Sequence, residues 1–157
     1  AQCFAVHVGI SRLHEDVLHL STAYRQAREA LAIGMQLTEK QSVTHFDDLG
    51  SFRIIFRISD LDELERYCQE HIGALMEYDA QHGTDLLSTL RAVIAADGNL
   101  NRASELLSVH YNTLRYRIRR IEEIQGIKVD SWSMLAAVDV ALKGLRVLKA
   151  RKAGSLG

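Results

Sequence analysis

The run GNLNRASELLSVHYNTLRYRIRRIEEI, Gly98 to Ile124, most constrains what this chain can fold into, because it spells two short helices joined by a tight turn. Asn99 is a favoured N-cap, its side-chain oxygen able to take a free backbone N–H, and the first helix extends from it through Leu107. Gly98 breaks the helix before it. Ala103 falls where the two helices must cross closely, and Leu100, Leu106, Leu107 and Val109 supply an apolar face for a small shared core. Ser108, Val109 and His110 make the turn. In the second helix Leu114, Ile118, Ile121 and Ile124 recur at steps of four, three and three, which puts them on one buried stripe. Tyr111, Asn112, Arg115, Tyr116 and Arg119 are left on other faces.

The second helix carries Arg115, Arg117, Arg119 and Arg120. Most charge runs are solvated helix faces. Two details argue for more here. Arg115 and Arg119 are like charges at i, i+4, which cost a few tenths of a kcal/mol (~0.2–0.5), and Arg115 stands near a helix N-terminus, where the macrodipole disfavours a cation. An external polyanion compensates both, and a basic helix after a tight turn is how a protein enters the DNA major groove. The alternative is a helical protein-interaction or dimerisation module without DNA binding, since tyrosine and arginine are also favoured at protein interfaces.

The stretch NRASELLSVHYNTLRYRIRRIEE resembles the helix-turn-helix of the Fis and NtrC type. With DAQHGTDLLSTL (Asp79 to Leu90) ahead of it, it resembles more narrowly the C-terminal domain of PucR/CdaR-family bacterial transcription regulators, whose HNTLRYR-like core is filled here by His110, Asn112, Thr113, Leu114, Arg115, Tyr116 and Arg117. The chain departs from that pattern at Tyr111, where a basic residue or proline is common, and at Ser108, where related turns often carry glycine. VGIS (Val8 to Ser11) and YRQAREAL (Tyr24 to Leu31) are similar to the latter part of the GGDEF-like domain that precedes the helix-turn-helix in this family. Diguanylate cyclases of that fold need a signature loop and metal-binding acids that this chain lacks. The resemblance therefore implies a scaffold for regulation or dimerisation, and a bacterial, cytoplasmic regulator answering to a small-molecule effector at an upstream domain absent from this chain.

The expected fold is mainly α with a small α/β N-terminal part. Residues 1–78 are read as a degenerate GGDEF-like α/β domain truncated at its N-terminus, and residues 79–157 as a helix-turn-helix DNA-binding domain. In the first part Phe4, Val6 and Val8 alternate with Ala5 and His7 as a half-buried strand ended by Gly9, and Ser42 to Phe46 is a second, weaker strand. A helix from His14 to Leu37 lies between them, with a stripe of Val17, Leu20, Tyr24, Ala27 and Leu31 and with Gly34 near its end. Asp60 and Glu63 fit a capping box for a helix to about Tyr78, with Leu61, Leu64, Tyr67, Cys68, Ile72 and Leu75 inside. A last helix, Ser131 to about Ala150, presents Trp132, Leu135, Val138, Leu142, Leu145 and Leu148 as a lid on the helix-turn-helix core or as a subunit interface.

Charge is divided unevenly along the chain. Residues 1–84 hold 7 Lys/Arg against 13 Asp/Glu, a net of −6, and residues 85–157 hold 12 against 7, a net of +5. The C-terminal part is thus the electrostatic candidate for a polyanion. Cys3 and Cys68 have no short-range partner and read as reduced thiols. No apolar run is long enough to span a bilayer, so no membrane partner is expected. The chain opens on a strand-like segment without an initiator methionine and reads as a fragment of a longer protein.

Nothing positive supports an enzyme, and no catalytic residue, metal ligand or cofactor is assigned. His14/His19 and His71/His82 lack the i, i+4 spacing or the nearby cysteines and carboxylates of a metal site. Asp47-Asp48 reads as a loop acid or helix cap, and VGIS lacks the further glycines and lysine of a phosphate loop. For DNA, Tyr111, Asn112, Arg115, Tyr116 and Arg119 are the candidates for base edges, with Arg115 first because arginine bonds guanine bidentately. Asn99, Asn101, Arg102, His110, Thr113, Arg117 and Arg120 are the candidates for the backbone. One such unit offers few contacts, so the expected species is a homodimer on double-stranded DNA, reading half-sites about 34 Å apart.

Overall fold

The computed structural model describes residues 6–37, 42–126, 128–129 and 131–154. Among these it is mainly helical, with seven α-helices and one two-stranded parallel sheet. Cys3, Phe4 and Ala5, named above, lie outside the described residues. The chain divides into two compact units, residues 1–61 with 145–157, and residues 62–144.

In the first unit β1 (His7–Ile10) and β2 (Ser42–His45) pair in parallel, His7 opposite Ser42 and Ile10 opposite His45, with α1 (Leu20–Leu37) as the crossover between them. Gly9 does not end β1; the strand passes through it. It is where α1 lies closest, since a Cβ there would come 2.6 Å from Leu31 N and closer still to the Ala27 carbonyl. Gly34 answers it from the helix, where a Cβ would run into the Thr44 side chain. Two missing side chains thus let helix and sheet approach each other.

The expected stripe holds only in its second half, where Ala27 and Leu31 lie against Gly9 and are half-buried. Ala30, Ile33 and Gly34 are buried, whereas Val17, at 86% exposure, Leu20 and Tyr24 face outward. Val6 and Val8 are exposed as well, so the apolar alternation of β1 does not mark its covered face. Nor does α1 begin at His14: Asp16 caps a single 3-10 turn, Val17–His19, accepting from Leu18 N at 2.9 Å, and the α-helix starts after it. The remainder of this unit packs Phe46, Leu49 and α2 (Phe52–Ile55), with Arg53 stacked 4.1 Å from the Phe46 ring centroid. Arg151, from the end of the last helix, donates to the Phe56 carbonyl at 2.6 Å.

The second unit is all helix: α3 (Leu61–His82) from Asp62 on, α4 (Leu86–Ala95), α5 (Leu100–Leu106), α6 (Tyr111–Gln125) and α7 (Trp132–Gly154) as far as Gly144. Its core draws Leu64, Cys68, Ile72 and Leu75 from α3, Leu86, Leu90 and Val93 from α4, Leu114, Ile118 and Ile121 from α6, and Leu135, Val138 and Leu142 from α7. Gly144 lets α7 close on α3; a Cβ there would stand 2.9 Å from both Cys68 Sγ and Leu64 Cδ1. The Cys68 thiol donates to the Ala141 carbonyl at 3.3 Å, and burial, with Glu65 nearby, pushes its pKa up. It is a packed thiol with a raised proton affinity, the opposite of a nucleophile's environment. Trp132, expected on the inner face of α7, is instead 72% exposed in its first turn.

Candidate nucleic-acid interface

Helices α4, α5 and α6 pack against one another, and the turn between α5 and α6 is built from local bonds. Asn99 caps α5 as its residue type predicts, its Oδ1 accepting from Arg102 N at 3.1 Å. Ala103 is fully buried at the crossing. Val109 N–H then reaches back to the Ser104 carbonyl at 3.0 Å, and Ser108 takes a left-handed conformation, φ 53°. That is a conformation glycine adopts without cost and a serine seldom takes. His110 is the N-cap of α6, its Nδ1 accepting from Asn112 N at 3.2 Å. Only its other ring nitrogen is left to reach a ligand.

The stripe on α6 forms as spaced, with Leu114 and Ile121 fully buried, Ile118 nearly so and Ile124 half-buried. Leu106 differs from expectation. At 56% exposure it stands outside the shared core, because α5 ends there and Ala103 and Ser104 fill the contact.

The four arginines divide by helix geometry. Arg115 and Arg119 are exposed with Asn112, Thr113 and Tyr116, the last at 71%, while Tyr111 sits at the edge of the exposed class. Among the described residues neither Arg115 nor Arg119 has a carboxylate within ion-pair distance. Asn99, Asn101 and Arg102 are also exposed, at the start of α5.

Arg117 and Arg120, three apart, turn the other way. Arg117 is half-buried and donates to the Thr89 hydroxyl of α4 at 3.5 Å. Arg120 lies 4.8 Å from the centroid of the Tyr78 ring, donates to the Tyr78 hydroxyl at 3.1 Å, and pairs with Glu123 at 2.7 Å. Of the candidate backbone contacts, then, the structure does not bring these two together with the exposed group. Their spacing from the apolar stripe carried the signal: Arg117 is three residues after Leu114 and four before Ile121, so it flanks the buried face.

Sequence reasoning missed Thr89 and Tyr78, which hold these arginines, and Asp79, which caps the helix that carries Thr89. Asp79, in the last turn of α3, accepts from the Thr84 hydroxyl at 2.6 Å, from Leu86 N at 2.8 Å and from Leu87 N at 3.0 Å. It thereby caps α4 from outside, while Asp85, the residue in the N-cap position, makes no side-chain cap. Burial pushes the Asp79 carboxyl upward, but those three hydrogen bonds and the Arg117 charge outweigh it and hold the group below the ordinary carboxylate range.

Residues 86–144 match the family described as the PucR C-terminal helix-turn-helix domain. Over this segment the chain is similar to the helix-turn-helix domain of PucR-type regulators. Three curated relatives from Bacillus subtilis (strain 168) extend the likeness over more of the chain. The DNA-binding transcriptional activator AdeR is 28% identical over 78% of this chain and 29% of its own length. The proline-responsive transcriptional activator PutR is 26% identical over 81% of this chain and 31% of its own length. The purine catabolism regulatory protein is 24% identical over 91% of this chain and 27% of its own length. The chain thus spans less than a third of the length of these relatives. No solved structure matches it. Among the described residues no helix is long and apolar enough to cross a membrane.

Proposed function

We propose that this PucR-type chain is the DNA-binding part of a transcriptional regulator, and that the exposed face of α6 reads double-stranded DNA. The observation that carries this is the pair Arg115 and Arg119, exposed on one face without an acidic partner among the described residues, while the other two arginines of the helix are spent on internal contacts. A helix that stabilises two of its arginines from within and leaves two like charges side by side gains most from an anion outside. The names of AdeR and PutR as transcriptional activators support the same reading.

In this reading Arg115, Asn112, Arg119, Tyr111 and Tyr116 meet base edges in the major groove, and Asn99, Asn101, Arg102, Thr113 and the free ring nitrogen of His110 meet the phosphates on either side. Two copies bind half-sites about 34 Å apart. Residues 1–78 serve as a GGDEF-like scaffold for regulation or pairing, and a small-molecule effector acts through domains outside this chain. The protein works in the cytoplasm and catalyses no reaction.

Fluorescence anisotropy on random duplex DNA, from about 50 to 200 mM salt, tests this directly. Wild type should bind and weaken steeply with salt, by a slope of about −0.9 for each phosphate that a cation neutralises. The Arg115→Ala/Arg119→Ala variant should lose that binding while melting at the wild-type temperature. Binding that ignores salt, or survives the double substitution, favours a protein-interaction helix instead.

A further inference from the structure

We propose that Asp79 is a positioning residue for the recognition helix: it acts through Arg117 and Thr89 to set the roll of α6 about its axis, and so decides where Arg115 and Arg119 point. The proposal rests on the DNA-binding reading of α6 and deepens it.

Three elements meet at this point. Asp79 belongs to α3, yet all three of its hydrogen bonds go forward, to Thr84 and to the first two residues of α4. Thr89, fully buried one turn further along α4, donates to the Asp85 carbonyl at 3.1 Å and receives Arg117 Nη1 at 3.5 Å. The Arg117 charge is felt at Asp79. One carboxylate therefore fixes the start of α4, and α4 in turn holds the middle of α6.

Arg117 lies between Arg115 and Arg119 in sequence but on the other side of the helix. Apolar contacts at Leu114, Ile118 and Ile121 hold α6 in place, but they set its roll less sharply than a directional bond does. A hydrogen bond from a planar guanidinium is directional, so the Arg117–Thr89 contact gives the roll of α6 a preferred value. A rotation of about 20° swings the tip of an arginine reaching ~6 Å from the helix surface by several ångströms. That spoils a bidentate bond to a base, whereas a phosphate contact tolerates it because a diffuse cation needs only proximity.

The test reads specificity and non-specific affinity separately. A duplex selected by the wild-type chain from a random-sequence pool is compared with random duplex, across about 50 to 200 mM salt, for wild type, Asp79→Asn, Arg117→Met and the double variant. Partial unfolding lowers affinity for both duplexes by the same factor, so the selected-to-random ratio reports geometry even for a destabilised variant.

We expect each single variant to lower that ratio about tenfold, with the salt slope on random DNA unchanged. The double variant should lose little more than either single one, because both act through one link. An unchanged ratio with both affinities reduced would make Asp79 a stability residue only and overturn the proposal. A salt slope flattened by about 0.9 in Arg117→Met, with Asp79→Asn like wild type, would make Arg117 a phosphate contact and overturn it as well. Absence of salt-sensitive binding by the wild type would instead overturn the DNA reading, and the positioning role with it.

Discussion

The two faces of α6 carry the same residue type to opposite ends. Arg115 and Arg119 look outward with Tyr116, while Arg117 and Arg120 fold back on Thr89 and Tyr78. A count of four arginines on this helix therefore overstates the charge it presents outward by a factor of two. The inner pair ties the helix to Thr89 of α4 and Tyr78 of α3, and under the proposed positioning role this sets the angle at which the outer pair is presented. Arginine suits both roles because its guanidinium stacks, forks and stays charged.

Breaking the inner face at its apolar centre should have the largest effect. Leu114 is fully buried, and Leu114→Ala should cost about 2–5 kcal/mol in denaturant unfolding, with any loss of DNA binding tracking the loss of folded protein. A stable Leu114→Ala variant that lost only DNA binding would mean that the two faces are not separable as drawn.

A smaller effect belongs to Asp79, the carboxylate that caps the start of α4. Replacing a capping carboxylate costs about 0.5–2 kcal/mol, and for this one the cost should depend on pH. The folded-state pKa of Asp79 is lowered, so its contribution is fully present above the ordinary carboxylate value of about 4 and is lost as pH falls through the folded value. Thermal unfolding of wild type and Asp79→Asn should accordingly differ at pH 7 and converge below about pH 4. A gap that stayed constant to low pH would show that the charge of the carboxylate contributes nothing.

The helical unit was the legible part of the chain, for reasons that concern distance along it. Caps, turn and apolar stripe between Asn99 and Ile124 are satisfied by neighbours within a few residues, so spacing alone predicted Asn99 as cap, Ala103 at the crossing and the Leu114–Ile118–Ile121 stripe. In the N-terminal unit the same reasoning was right for only part of α1. The strands meet the helix at Ala27 and Leu31 and bury Ala30, Ile33 and Gly34, whereas Val17, Leu20 and Tyr24, earlier in the stripe, are exposed. Glycine misled there too: Gly9 reads as a stop by composition, but it serves as the point where a helix crosses a strand. Asp79 escaped notice because its partners lie five to eight residues ahead, across a helix boundary, where neither a helical period nor a capping box applies.

Arg120 gives the smallest and sharpest test of the comparison. Its contacts are the Tyr78 ring and hydroxyl and a surface pair with Glu123, together a small contribution at an exposed, solvent-screened site. Arg120→Ala should therefore lower stability by no more than that and leave the salt slope for random DNA as it is in wild type. Arg119→Ala, one residue earlier and on the outer face, should do the reverse, with unchanged melting and a slope flattened by about 0.9 if it neutralises a phosphate on non-specific DNA. If Arg120→Ala flattened the slope instead, its guanidinium would have to leave Tyr78 and Glu123 when DNA arrives. The inner face of α6 would then be a reserve of contacts that the nucleic acid draws out, and the division between holding and reading arginines would describe only the unbound protein.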